Sequence, residues 1–240
     1  KRQRDWIGKS EGAEIEFPLN FSLSPGEVVF ASNNLGKLDR TRKLFKAAGL
    51  HKIVLKTPKE AGIENFDVVE DGATLRENAE KKARALTGKT NLPVFADDSG
   101  FFIDGAEVDP VAVKRNAIGG ADERSLGVEE IARMMQKYYQ NIASSRGGRA
   151  DAEWRNALCL VTPDGVAMHI ETVRPVILAG ESRGTVDPYL PLRGLYISKT
   201  TGKYVLEQTE EEEIKELQPI TEGIKKLFIP AIKVFTTRPD

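Results

Sequence analysis

Val28-Val29-Phe30-Ala31-Ser32-Asn33-Asn34-Leu35-Gly36-Lys37 is an apolar run that breaks into a polar loop and then turns helical. The leading apolar residues read as a buried strand. From Lys37 to Ala48 the inward positions Leu38, Thr41, Leu44, Phe45 and Ala48 recur at helical spacing, and Gly49 supplies the stop. Strand, polar loop, helix is a layout that aims backbone N–H groups at an anion. Ser32 and Asn34 add side-chain donors. Lys37 adds a positive charge at the helix start, where it opposes the macrodipole unless an anion is near. The G-x-x-x-x-G-K-[ST] spacing is absent, so this is not a Walker A loop.

Outward from that stretch the alternation continues. Ile53 to Lys56 and Pro93 to Ala96 read as strands. Thr74 and Glu77 fit a capping box, which starts a helix to Thr87 with Gly88 as its stop. Val128 to Tyr139 reads as a helix with Ile131, Met134, Met135 and Tyr138 as its core stripe. Asp151 to Thr162, the turn Pro163-Asp164-Gly165, and Val166 to Leu178 read as a long hairpin. Strands alternating with helices give an α/β class. Residues 1–25 are expected to be an extension, 26–235 the α/β domain and 236–240 a tail. Ser144 to Arg149 is expected to be a mobile loop, and Thr209 to Glu216 a solvated acidic helix.

The second informative run is Val94-Phe95-Ala96-Asp97-Asp98-Ser99-Gly100. Two carboxylates at a strand end suit a hard cation, and a following Gly lets the chain turn away. Upstream, Glu70-Asp71-Gly72 forms an acidic loop before the helix that carries Lys82. Glu70 is a candidate metal ligand there.

Composition narrows the class. With 40% apolar and 30% charged residues the chain reads as soluble and globular, and 240 residues bury one good core. A net charge of −1 gives no general electrostatic footprint for nucleic acid or anionic membrane. No run is long enough to span a membrane. The single cysteine, Cys159, lies in an apolar strand pattern and reads as a core thiol, which fits a reducing cytoplasm. His51 and His169 fall outside every motif, so a His-based zinc site and a Ser-His-Asp arrangement both lack support.

The order S-x-N-x-G-K, then E-x-G-x-T-x-x-E-N-A-x-x-K-A, then A-D-D-S-G resembles the inosine triphosphate pyrophosphatase family. These enzymes act on nucleoside triphosphates with non-standard purines. The family's T-G-N-x-G-K stands here as Ser32 to Lys37, its acidic loop and helix as Glu70 to Ala83, and its catalytic turn as Ala96 to Gly100. Arg115 sits where the family has S-A-R, and Trp154 to Val161 resembles its R-F-x-C-x-L strand. The resemblance covers roughly residues 27–161.

It implies a mixed central sheet flanked by helices, with two lobes and the active cleft between them. It also implies cleavage of a nucleoside triphosphate to monophosphate and pyrophosphate, with Mg²⁺ (Mn²⁺ as a substitute) and a homodimer. Glu70 and Asp98 would hold the metal, with Asp97 beside it. Asp98 would also accept the proton of the attacking water, so Asp98 and Asp97 are the catalytic pair. Lys37 and Lys82 would neutralise the polyphosphate, while Ser32, Asn34 and Ser99 position it.

The C-terminal third departs from the family. For G-F-G-Y-D-P the chain has Arg183-Gly184-Thr185-Val186-Asp187-Pro188, for E-E-K-N it has Glu210 to Glu213, and for S-H-R it has Gln218-Pro219-Ile220. Arg183 and Asp187 are then the nearest polar candidates for base or ribose. The phosphate and metal half is kept, whereas the base-reading half is rewritten. Preference for inosine or xanthosine triphosphate is therefore expected to be weak or replaced. Two rival readings follow: a pyrophosphatase with another base preference, and a nucleotide-binding or scaffold protein without catalysis.

Overall fold

The structure, a computed structural model, describes residues 26–121, 125–188 and 190–233. The expected extension 1–25 and tail 236–240 lie outside the described residues. The elements, in order, are β1 (Glu27–Phe30), α1 (Leu35–Ala47), β2 (Val54–Lys56), α2 (Leu75–Arg84), β3 (Val94–Ile103) and β4 (Ala106–Glu107). They continue with α3 (Pro110–Ile118), α4 (Val128–Ser144), β5 (Arg149–Val161), β6 (Ala167–Ala179), β7 (Tyr196–Ser198), α5 (Glu210–Glu216) and α6 (Gln218–Lys233).

One mixed sheet runs β2-β1-β3-β5-β6-β7, with β4 hydrogen-bonded to the far end of β3. β1 pairs in parallel with β2 and β3, and the remaining pairings are antiparallel. The hairpin expectation holds: β5 and β6 pair from Arg149↔Ala179 to Val161↔Ala167. Helix α1 also follows expectation, with Leu38, Thr41, Leu44 and Phe45 buried and Gly49 beyond it in the left-handed region at φ 79°.

Alternation along β3 divides the core. Val94 and Ala96 face α2 and pack with Ala79, Ala83, Leu86 and Cys159. Phe95 faces α1 and α6, where Phe45, Phe95 and Phe228 meet edge to face at 4.9–5.6 Å. Farther along the same face Phe101 meets Tyr139 of α4 and Trp154. That face therefore carries two apolar clusters, one under α1 and α6 and one under α4.

Four local expectations change. The Asp-Asp-Ser-Gly run is not a turn at a strand end: β3 continues through it to Ile103, paired with β5 throughout. Gly100 is small for another reason, since a Cβ there would lie 2.8 Å from Glu107 Oε1 and 3.3 Å from Leu75. The buried stripe of α4 is Ala132, Gln136, Tyr139 and Ala143, one residue round from the expected one. The helix is amphipathic, and its Met135 and Tyr138 flank that stripe half-buried. Residues 145–148 are a tight turn with Gly147 and Gly148 at positive φ, and Arg146 bonds Asp104 at 2.6 Å. Lastly α5 is not wholly solvated, because its last residue, Glu216, is buried against Arg174. Among the described residues no helix is long and apolar enough to cross a membrane.

Candidate active site

The loop after β1 is built by its own side chains. Ser32 Oγ accepts from Asn34 N at 3.1 Å, and Asn34 Oδ1 caps α1 by accepting from Lys37 N at 3.0 Å. Asn33 ties the loop to residue 66 by donating to Phe66 O at 2.7 Å. The Asn34 oxygen is thus spent on the helix, and its NH₂ is what it can offer a ligand. Lys37 stands at the third helical position, half-buried, with its charge acting on Asp98.

The acidic loop is held by the helix that follows it. Thr74 Oγ1 accepts from Glu77 N, and Glu77 Oε2 accepts from Ala73 N rather than from Thr74 N, so the capping box is displaced by one residue. Asn78 Oδ1 accepts from Gly72 N at 2.7 Å. A Cβ on Gly72 would lie 2.5 Å from that oxygen, which explains the glycine. Fixed in this way, Glu70 reaches Lys82 from outside α2.

Lys82 is the centre of the site. Its Nζ lies 2.6 Å from Asp98 Oδ1 and 2.9 Å from Glu70 Oε2. Burial favours the neutral amine, but the bonds to Asp98 and then Glu70 prevail and hold the ammonium above its ordinary value. Burial pushes Asp98 up, with the nearby Glu70 charge adding to it and Lys82 and Lys37 opposing. Glu107, on β4 beside Gly100, is likewise pushed up by burial and then by Asp98 and Asp109.

The structure therefore brings Glu70, Lys82 and Asp98 together on the α2 face, with the Lys37 charge near enough to act on Asp98. It separates the two adjacent aspartates. Asp97 points to the opposite face, where Asn156 Nδ2 donates to its Oδ1 at 3.0 Å and Arg40 lies 3.8 Å from its Oδ2. Ser99 shares that opposite face, level with Asn156. Arg183 lies over the Tyr204 ring and 3.9 Å from Glu207, while Asp187 Oδ1 accepts from Leu190 N. Those bonds anchor the loop after β6. Arg115 is exposed in the last turn of α3.

Sequence reading missed Asn78, Glu107, Arg40, Asn156, Arg174 and Glu216. Asn78 was within reach, since E-N after a capping Thr places an amide over the loop it starts. The others depend on strand register and on which helix crosses which face. Cys159 is a buried core thiol as expected, pushed up to about 12 by burial.

Two carboxylates suit a divalent metal here. Glu70 and Asp98 both bring an oxygen to one ammonium, so they converge on a single point as they would on a cation. No three His, Cys, Asp or Glu side chains converge in that way among the described residues. Mg²⁺ needs only one or two carboxylates when substrate phosphates and waters complete its octahedron.

Comparison with known proteins identifies the family and the fold. Residues 28–195 match the Ham1 family. A dITP/XTP pyrophosphatase of Rhodopseudomonas palustris is 31% identical over 160 residues, covering 67% of this chain and 72% of that protein. One from Agrobacterium fabrum is 33% identical over 168 residues, covering 68% and 70%. Among solved structures, a HAM1 protein from Coxiella burnetii superposes with a TM-score of 0.60 at 21% identity, over 84% of this chain and 97% of that one. A dITP/XTP pyrophosphatase from Mycobacterium abscessus gives 0.58 at 22%, with the same coverage.

Proposed function

The chain belongs to the Ham1 family, and we propose that it hydrolyses nucleoside triphosphates between the α and β phosphates, releasing pyrophosphate and leaving the monophosphate. The observation that carries this reading is the clasp of Lys82 between Glu70 and Asp98, beside Lys37 and a capped polar loop. The pyrophosphatase relatives support it.

In this reading the capped loop receives the outer phosphates. Ser32, the Asn34 amide and the first N–H groups of α1 supply donors, and Lys37 supplies charge. Glu70 and Asp98 would hold Mg²⁺, with Mn²⁺ as a substitute; when bound, the ion neutralises phosphate charge and lowers the pKa of a coordinated water. Lys82 then turns from its carboxylates toward the phosphates. Asp98 takes the proton from the attacking water. Ser99 shares the far face with Asp97 and is not brought to the clasp. Asp97, on the far face, supports β3 through Asn156 and does not touch the reacting atoms. Arg183 and Asp187 stabilise their own loop.

The test is product analysis with Mg²⁺ and a nucleotide panel. Equimolar pyrophosphate and monophosphate are expected, and orthophosphate as sole product would overturn the reading. A homodimer and a cytoplasmic location belong to the same proposal on family resemblance, with sedimentation and fractionation as their checks. A second reading, binding without hydrolysis, has one observation in its favour: both carboxylates are already engaged by Lys82. Tight nucleotide binding with no product would select it.

A further inference from the structure

Beyond Asp98 the clasp face of β3 carries a second group of side chains. Asp98, Gly100 and Phe102 alternate onto that face. Gly100 lies opposite Arg155 of β5, and Phe102 opposite Glu107 of β4. The β3–β4 hairpin turns on Asp104 and Gly105 at φ 50° and 79°, as a tight I′ turn requires. The hairpin is firmly tied. Val108 N donates to Phe101 O at 2.8 Å, Asp104 N donates to Asp151 O at 3.1 Å, and Arg146 holds the Asp104 carboxylate. Glu107, at the end of β4, folds its carboxylate back over Gly100, beside Leu75 at the start of α2.

Glu107 is a carboxylate set where its charge is unwelcome. Partial burial, then the charges of Asp98 and Asp109, disfavour its ionised form, and only Arg155 opposes them. Yet Arg155 is turned to another partner. Its Nε donates to Glu153 Oε1 at 2.6 Å, and its guanidinium lies 3.9 Å above the Phe102 ring. Among the described residues no N–H or O–H group donates to the Glu107 carboxylate. The side chain still reaches solvent. Stability gains nothing from a carboxylate placed among like charges without a donor. A rigid hairpin that holds one there, on the clasp face, presents an acceptor to a ligand.

On the reading that this chain hydrolyses nucleoside triphosphates, we propose that Glu107 receives the 2′ and 3′ hydroxyls of the sugar, and that the chain thereby selects ribonucleotides over 2′-deoxyribonucleotides. A carboxylate offers two acceptor oxygens and a vicinal diol offers two adjacent donors, so the two match as a pair. A 2′-deoxy sugar brings only one of those donors. The position suits this role. β1 ends at Phe30, level with Phe95, so the capped loop lies at one end of the clasp and Gly100 at the other. Outer phosphates at the loop then direct the sugar toward Gly100 and Glu107. Two steps along a strand cover about 6–7 Å, a span that suits the reach from an α phosphate through the 5′ carbon to the sugar hydroxyls. Leu75 offers the sugar ring an apolar neighbour. Such a preference would set this chain apart from relatives named as dITP/XTP pyrophosphatases.

The test compares kcat/KM within pairs that share a base, ITP against dITP and UTP against dUTP, so that base preference cancels. The wild-type chain should favour the ribonucleotide of each pair it hydrolyses by at least about tenfold, the low end for a hydrogen bond to a charged group. Glu107→Ala should bring that ratio close to one. Glu107→Gln, which keeps the shape and one acceptor oxygen, should give an intermediate ratio. A ratio near one in the wild type, or an undiminished ratio in both variants, would overturn the proposal. Calorimetric binding of IMP against dIMP and of UMP against dUMP separates this proposal from the hydrolytic reading. If no nucleotide is hydrolysed, yet the wild type binds the ribonucleotides more tightly and Glu107→Ala does not, the hydrolytic reading falls and the Glu107 assignment stands. Without hydrolysis, equal binding within both pairs removes the assignment as well.

Discussion

Asp97 and Asp98 are neighbours in sequence and occupy opposite faces of β3. Asp98 meets a lysine and a second carboxylate within reach of solvent and loops, while Asp97 is fixed by Asn156 and Arg40 between a sheet and a helix. A strand is a device for giving two adjacent identical residues different jobs, because each step of one residue reverses the face. On the α2 face, charge is gathered round one ammonium held between two carboxylates. On the α1 and α6 face, polar groups are locked into the packing. On the proposed reading, the same residue type is chemistry on one side and architecture on the other.

The strongest break in that contrast is Lys82→Met. Removing the ammonium leaves Glu70 facing Asp98, and losing one partner of a buried pair costs about 3–5 kcal/mol. Millimolar Mg²⁺ should restore more thermal stability to this variant than it adds to the wild type. Equal shifts in Tm would mean that the two carboxylates do not hold the ion. Next come the aspartates themselves. Asp98→Asn keeps an acceptor for Lys82 and should cost less stability than Lys82→Met, but lose at least about a hundredfold in rate, the scale for a general base. Asp97→Ala should reverse the pattern, losing about 1–3 kcal/mol of stability as Asn156 and Arg40 lose their acceptor, with a smaller change in rate. A larger rate loss from Asp97→Ala than from Asp98→Asn would exchange the roles of the two faces.

Lys37→Ala is a finer probe of the α2 face. Triphosphate affinity should fall by about tenfold, near the low end for a charged hydrogen bond, with monophosphate affinity less affected. Calorimetry with both ligands decides, and equal losses would place Lys37 away from the outer phosphates. The smallest effect concerns acid. His169, beneath α2 and 3.0 Å from Glu80, is held below its ordinary value by burial and then by Arg76, with Glu80 opposing. The folded chain thus resists a proton that the unfolded chain accepts near about pH 6.5. Its contribution is complete above that pH and is lost as pH falls below it. His169→Gln should make the decline in stability between about pH 6.5 and 5 shallower. An unchanged slope would show that acid sensitivity lies elsewhere.

Much of the α2 face was legible in the sequence. Ser32, Lys37, Glu70, Lys82 and Asp98 each lie in a short local motif whose spacing fixes a cap, a loop or a strand end, and local motifs survive in sequence. The α/β alternation and the 13-residue hairpin strands were legible for the same reason. The opposite face was not. Nothing near Arg174 in sequence announces Glu216, 42 residues away, or Thr172 as the cross-strand neighbour of Asn156. Such a patch exists only once β5 and β6 are in register and α5 has crossed them. Asp97 was misjudged by adjacency: two carboxylates side by side suggest one site until the chain is seen to continue as a strand.

The β5–β6 hairpin also sets an order of assembly. Its strands are the longest of the sheet, and the loop between them is only residues 162–166. Closing a short loop costs little chain entropy, and a long ladder follows by zipping, so this hairpin is the natural first structure. β3 then joins across the segment holding α3 and α4, and parallel β1 across the longer segment that holds α1, β2 and α2. The clasp needs β1, the acidic loop, α2 and β3 together, so it closes near the end of folding. During synthesis Lys37, Glu70 and Lys82 emerge well before the strands that frame them. The portion of the chain that carries the chemistry waits for the portion that carries the scaffold, and nascent chains shorter than β6 should bind no nucleotide.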